Sequence, residues 1–554
     1  MSVRHLETKQ KVVIMCAVMA GLFIVALDQT IVATALGAIV SDFHDYSSLG
    51  LVVTAYLLFM TITMPIAGKL SDLFGRRLLL LIGIGIFTAG SLMSGLSQSI
   101  EQLIAFRALQ GVGGGIIMAN AFTIIGDLFS PRERAKWQGI IGATFGLSSV
   151  VGPLLGGWLT DTHQVLGMTT DWRWNFFINI PVGIIAAILI ARYCPKLAHT
   201  TSRKVDYAGA TLLVVGLASL IAAVDNTDLL FGWLISNTIT VTIIQIALYI
   251  ISAVAIVGFI VIERHAEEPI IPLTFFKNRT FLSAMISFIF FGAAFLAVIL
   301  YMTQFNQQVY GASATKSGVM LLPLVLGMSI MSGAIGQIVS KTGRYKLFVV
   351  IGFLVATIAI FCLSFLNVDS PYWYQAVMMI LAGVGFGVGM PILNLAVQNE
   401  FADEQLGVAT ASSQLFRGLG STIGTAGLTA ILVAGIGVSL GNINDDAYIK
   451  SLQRVPQAAQ MIGGEDVSVN TALQINNQRQ TIAQQAASGI DKSPLPPAVK
   501  DKQNQVFEQQ QNTFSYNVTH AFASSLDKVF LITAGLMGVA FVATLFIREK
   551  TLES

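Results

Sequence analysis

Fourteen runs of about twenty predominantly apolar residues recur along the chain, each long enough to cross a bilayer as a helix. A backbone immersed in hydrocarbon must satisfy its own hydrogen bonds, so a chain built this way is restricted to a bundle of spanning helices. By hydropathy the first six spans begin near Val12, Leu49, Leu78, Ile100, Trp137 and Phe176, and the next two run from Tyr207 to Val224 and from Thr238 to Ile262. The ninth to twelfth begin near Phe281, Gly318, Leu347 and Tyr372; the thirteenth covers Leu406 to Ala434 and the fourteenth Val529 to Ile547. The N-terminal run passes Asp28 and continues to Ala38, well beyond the ~7 to 15 apolar residues of a cleavable leader, so it is expected to stay attached as the first span.

The 554 residues include only 11% charged ones, the net charge is +2, and the basic residues sit in short loops, which leaves no basic face for nucleic acid. Cys16, Cys194 and Cys362 fall in or beside spans, against a disulfide framework and against a clustered metal site. The basic residues carry orientation instead. Alternate loops hold Arg76/Arg77, Arg132/Arg134/Lys136, Arg192/Lys196/Arg203/Lys204, Arg264/Lys277/Arg279 and Lys341/Arg344/Lys346, and the positive-inside rule places these loops and both termini on the cytoplasmic side of the cell membrane.

One connection does more than orient. Gly68-Lys69-Leu70-Ser71-Asp72-Leu73-Phe74-Gly75-Arg76-Arg77 sets two glycines, expected to turn the chain, around an aspartate and a basic pair at a membrane edge. The positive-inside rule accounts for the arginines but not for Asp72, and charges in such a place want fixed partners. The stretch resembles the motif between the second and third helices of the major facilitator superfamily. That resemblance implies an all-α polytopic membrane protein of two six-helix halves plus an inserted helix pair, in which Gly68, Asp72, Gly75 and Arg76 form a conformational latch joined by Asp127. An internal repeat agrees: Gly68 to Arg76 aligns with Gly336 to Arg344, Gly111-Val112-Gly113-Gly114 echoes Gly383-Val384-Gly385-Phe386, and Gly152 and Gly156 match Gly420 and Gly424. The expected divisions are 1–200, an inserted peripheral pair in 201–265, and 266–554. Within the last, 441–525 reads as a solvated outer loop with some helix around Ala447 to Met461 and Asp501 to Asn512, without a core of its own, and carries an Asn517-Val518-Thr519 sequon.

Asp28 is the most informative single residue, because an embedded carboxylate is costly and is functional or paired. Its surroundings, Leu27-Asp28-Gln29-Thr30-Ile31-Val32, resemble the first-helix motif of the fourteen-helix drug:proton antiporter branch, although Ala33 and Gly37 replace that branch's usual asparagine and proline. Arg107, in Arg107-Ala108-Leu109-Gln110-Gly111, resembles the superfamily's fourth-helix arginine, which is associated with proton coupling. Gly146, Gly152, Pro153, Gly156 and Gly157 resemble the antiporter motif of the exporting branches, with Ser148 at a usual glycine position. Rival readings are a permanent ion pair for Asp28, a backbone ligand for Arg107 and plain small-residue packing for the glycines.

The resemblance extends to Arg417 in Gln414-Leu415-Phe416-Arg417-Gly418-Leu419-Gly420, but this helix lacks the acidic residue that some relatives place there. Gln29, Gln304, Gln307, Asn394, Gln398 and Gln414, with Arg417, are the weaker candidates for a substrate cavity. All six histidines fall in loops or at interfaces, so coupling would rest on carboxylates, and there is no Gly-rich phosphate loop for ATP. The implied function is transport and not enzymatic catalysis: a multidrug efflux antiporter, compatible with a monomer, exporting amphipathic small molecules against protons with no cofactor beyond the proton gradient. Alternatives are export of one endogenous metabolite, lipid or siderophore, and, from another class, a membrane sensor or channel.

Overall fold

A computed structural model describes residues 7–43, 49–160, 164–165, 167–195, 206–225, 238–402, 405–453, 467–479, 482–484, 486 and 496–552. Among the described residues, fourteen helices are long and apolar enough to span a membrane. The first six are α1 Thr8–Phe43, α2 Leu49–Phe74, α3 Arg76–Gly95, α4 Ile100–Leu128, α5 Pro131–Thr160 and α6 Trp174–Tyr193. Then come the pair α7 Tyr207–Asp225 and α8 Thr238–Glu263, followed by α9 Arg279–Gln308, α10 Leu322–Thr342, α11 Lys346–Leu363, α12 Tyr372–Gln398, α13 Leu406–Leu440 and α14 Pro497–Leu545. The chain is thus an all-α bundle, interrupted among the described residues by one antiparallel pair of two-residue strands, Gln164–Val165 with Met168–Thr169.

In the first half α4 packs on α2 and α3, and α1 on α5 and α6; in the second α12 packs on α10 and α11, and α9 on α13 and α14. The two glycine runs of the repeat explain the closest crossings. A side chain at Gly111 or Gly115 would strike the α2 carbonyls of Tyr56 or Met60, and one at Gly383 or Gly387 the α10 carbonyls of Leu324 or Met328. Small residues at such crossings let helices associate by backbone contact where apolar burial gives no drive. The inserted pair lies outside the bundle: α8 leaves Ile243, Ile246, Ile250, Val254, Val257 and Val261 exposed on its outer side.

Several expectations need correction. Gly68 is not a turn residue; α2 runs unbroken through it to Phe74, and only Gly75, at φ 95°, reverses the chain. The fifth span starts at Pro131 rather than near Trp137: Glu133 accepts from both the Ser130 amide and its hydroxyl, closing a polar first turn that hydropathy cannot see. The last helix starts at Pro497, more than 30 residues before Val529. Its early part is polar, yet Phe507, Phe514 and Val518 recur on one face and meet Ile443, Tyr448, Ile449, Leu452 and Ile475, so the 441–525 segment does carry an apolar cluster of its own. The sequon lies within this helix, with Thr519 buried against Gln308. His520 is helical too, its ring tilted against that of Tyr516. The helix expected to reach Met461 is described only over Ala447–Gln453; Met461 lies outside the described residues.

Candidate functional site

Asp28 sits in the middle of α1, fully buried. One carboxylate oxygen meets Arg107 Nη1 at 2.5 Å; the other accepts from Gln110 Nε2 at 2.9 Å and Asn179 Nδ2 at 3.3 Å. Arg107 is held from every side: Gln110 Oε1 accepts from it at 2.7 Å, the Val52 carbonyl accepts from Nε at 3.3 Å, and its guanidinium lies 4.2 Å from the centre of the Tyr56 ring. Tyr56 is fixed by donating to the Val25 carbonyl, and Asn179 donates also to Ser91 Oγ. A buried ion pair so fully hydrogen-bonded is stable as it stands, and removing either member strands the other. Gly152 of α5 is in contact with Thr30, two residues along α1 from Asp28, so α5 abuts the site directly. Gly156 is buried and Gly157 half-buried on the same helix, which continues through Pro153.

A second charged cluster lies where the halves touch at the hairpin end. Arg76 pairs with Asp72 and, through Nε at 2.9 Å, with Asp127 at the end of α4, all three buried from solvent. Arg76 also donates to Ser71 Oγ at 2.6 Å, while Asp72 accepts from the Val408 amide of α13 at 3.1 Å. Gly68 packs on Gly407 and Ala411 of α13, and Gly407 in turn leaves room for the Asp72 carboxylate. Across the repeat, Gly336 of α10 packs in the same manner on Ala135 and Gly139 of α5, and Ser332 Oγ donates to the Gly139 carbonyl at 2.8 Å.

A third feature is a nearly closed cavity of about 20 Å³ between the halves. Gly142 and Phe145 of α5 line one side; Phe291, Phe295, Met328, Ser332, Phe386, Gly387, Met390, Pro391 and Arg417 line the other. Gly146 adjoins it, in contact with Ser329 and Met328. Of the weaker candidates, Arg417 reaches this cavity. Gln414 and Asn394 stand behind it in a relay: Arg417 Nε donates to Gln414 Oε1 at 3.1 Å, and Gln414 Nε2 to Asn394 Oδ1 at 3.3 Å. Gln398 instead ties the halves together, accepting from Gln138 and donating to the Phe122 carbonyl at 2.9 Å. Gln29 donates to Met60 Sδ, and Gln304 and Gln307 lie half-buried on α9; none of the three lines the cavity.

Gln110, Asn179, Ser91 and Tyr56 escape a sequence reading. Gln110 stands three residues from Arg107 and could have been found by asking what else an i, i+3 neighbour holds. Asn179 gives the weaker signal of a lone amide at the start of an apolar run.

The sequence profile of the Major Facilitator Superfamily matches residues 18–425. Among curated relatives, the chain is 38% identical over 473 residues to the multidrug transporter protein MdtP of Bacillus subtilis (strain 168), covering 84% of each chain. It is 36% identical over 411 residues to multidrug resistance protein 3 of the same organism, covering 74% of this chain and 77% of that one. Among solved structures, a bacterial homologue of the human lysosomal transporter Spinster, inward-facing and unoccupied, superposes with a TM-score of 0.55 at 13% identity, covering 98% of both chains. That likeness concerns the fold alone.

Proposed function

The chain belongs to the major facilitator superfamily and is a multi-pass membrane transporter, and we propose that it exports amphipathic compounds from the cytoplasm in exchange for protons. The observation that carries the reading is the Asp28–Arg107 pair, a titratable carboxylate sealed inside the first half with a cation that never releases a proton. Rocking of the halves alters the pairing of Asp28 with Arg107, and the carboxylate carries the exchanged proton. One carboxylate thus takes a proton in one conformation and gives it up in the other. Gly152 and Thr30 put α5, whose Gly139 and Gly142 face α10 of the opposite half, in contact with the helix that carries Asp28. Movement between halves therefore reaches the pair through a packed helix. The Asp72, Arg76 and Asp127 cluster acts as the latch of the closed hairpin end, on the cytoplasmic side by the charge of its loops. The multidrug relatives support a broad substrate range, as do the phenylalanines and methionines of the cavity, which suit an adaptable apolar pocket.

The test is reconstitution of the full chain in vesicles with a pH reporter inside and a panel of unrelated fluorescent dyes. An imposed proton gradient should drive several dyes uphill, with matching proton flow. Dye movement indifferent to the gradient would overturn coupling, and movement of a single compound class would overturn breadth.

A further inference from the structure

Among the embedded arginines, Arg134 spends donors on the Phe129 and Gly126 carbonyls, and two more are neutralised: Arg76 by Asp72 and Asp127, Arg107 by Asp28. Arg417 is not. It lies eleven residues into α13, about 16 Å along the helix axis at 1.5 Å per residue, and no carboxylate among the described residues is within ion-pair distance. Its Nε is committed to Gln414, and the relay behind Gln414 consists of neutral amides ending on the Met390 carbonyl. Its two terminal nitrogens have no protein acceptor among the described residues, and the side chain lines the cavity with Phe145, Phe291, Phe295 and Phe386.

An uncompensated guanidinium at this depth is expensive and is retained where a ligand completes it. The planar fork presents paired donors that match a carboxylate or sulfonate, and an anion gains charge-assisted bonds there that water does not contest. A cationic amphiphile would meet like charge in the same place. Resting on the export reading above, we infer that the transporter prefers substrates in which an aromatic or apolar body carries one anionic group, and that Arg417 receives that group while the phenylalanines cover the body. The cavity has room for no more than about one water in this conformation, so the substrate binds while the halves are parted. Exchange of one such anion outward for one proton inward moves charge in a single sense, so a membrane potential negative inside assists export as the proton gradient does.

The test uses three probes with a common fluorophore: dansylglycine, an anion; dansylglycinamide, neutral; and dansylcadaverine, a cation. Binding to the purified full chain is read by dansyl fluorescence, and proton-driven transport is read separately in vesicles. Wild type should bind dansylglycine at least about tenfold more tightly than the amide, and Arg417→Gln should bring the ratio close to one. Arg417→Lys, which keeps charge without the fork, should retain an intermediate ratio. An arm without any variant covers the case of misfolding: wild-type preference for dansylglycine should vanish as pH falls below the probe's own carboxyl range, whereas preference for the sulfonate dansyltaurine should persist. Equal binding of anion and amide by wild type, or an Arg417→Gln ratio like wild type's, overturns the inference; if dyes are still pumped, the export reading survives it. Anion binding that depends on Arg417 without proton-driven transport of any probe has the opposite meaning: the site stands and the export reading falls.

Discussion

Asp72 of α2 accepts a hydrogen bond at 3.1 Å from the backbone amide of Val408, in the first turn of α13 on the other half of the molecule. Gln405, the N-cap residue of α13, makes no side-chain cap bond. The helix related to it by the repeat, α5, is capped locally by Ser130 and Glu133, and the residue that corresponds to Asp72 there is Ser340, half-buried. A carboxylate at a helix N-terminus gains about 0.3 to 1 kcal/mol, somewhat more when partly buried. Among the described residues, Asp72 of the first hairpin therefore contributes a charge to holding the halves together where the second hairpin has the neutral Ser340.

Asp72→Asn should accordingly shift the hairpin end toward its open form by about fivefold, the equivalent of ~1 kcal/mol, while Ser340→Ala should change little. Thr410→Cys reports the opening, since Thr410 is buried beside Gln398 where the halves meet. With Cys16 and Cys362 replaced by serine the background is low, because burial pushes the remaining native thiol, Cys194, up to about 12. Maleimide labelling should rise with Asp72→Asn and stay flat with Ser340→Ala; equal rates in the two would sink the latch.

At the other contact between the halves, Gly139 and Gly336 bring α5 and α10 to backbone distance, and a side chain at Gly139 would strike the Ser332 carbonyl. Neither backbone can yield as the tip of a side chain would. Gly139→Leu should wedge the hairpin end open, raising labelling at Thr410→Cys further than Asp72→Asn does and stopping transport. Normal turnover in this variant would mean that the contact is not needed for closure.

Asp28→Asn should abolish proton-driven transport, and it should also lower stability by about 3 to 5 kcal/mol, because it leaves Arg107 charged and buried without its partner. The double variant Asp28→Asn with Arg107→Gln replaces the pair by amides that Gln110 and Asn179 can still bond, and should recover thermal stability without recovering transport. Recovery of both would remove the proton-carrying role from Asp28.

How much of this is legible in sequence depends on the distance over which the cause acts. Spans were readable because hydropathy is local, and the embedded charges stood out because Asp28, Arg107 and Arg417 are rare in apolar runs. Their partners were not readable: Asn179 is 151 residues from Asp28 and Val408 is 336 from Asp72, distances that only the packed bundle closes. Gly68 departs from its expected role as a turn for a related reason, since its missing side chain answers to Gly407 and Ala411 of another helix and not to its own backbone. The start of α14 lies beyond the reach of hydropathy because its polar residues are helical for the sake of the outer cluster.

That outer cluster supports a pH prediction. Tyr448 is buried among Ile449, Leu452 and Phe514, and its hydroxyl oxygen accepts a hydrogen bond from Gln511 Nε2 at 2.6 Å. Burial pushes the phenol up from its ordinary value to about 12; the Gln511 bond opposes this to a smaller degree. In the unfolded segment the same phenol ionises near pH 10. Below that pH both states hold the proton, and the full stabilisation is present. Between about pH 10 and 12 the unfolded segment releases a proton that the folded one keeps, so stability falls as pH rises. Limited proteolysis of the 441–525 segment should therefore be flat from neutral pH to about pH 10 and accelerate above it. Other tyrosines and lysines titrate in the same range, so the measurement is the difference from Tyr448→Phe: the variant loses the Gln511 bond and should be cleaved faster at pH 8, but its rate should climb less steeply between pH 10 and 12. Parallel pH profiles for the two proteins would place the alkaline transition elsewhere and leave Tyr448 with a packing role only.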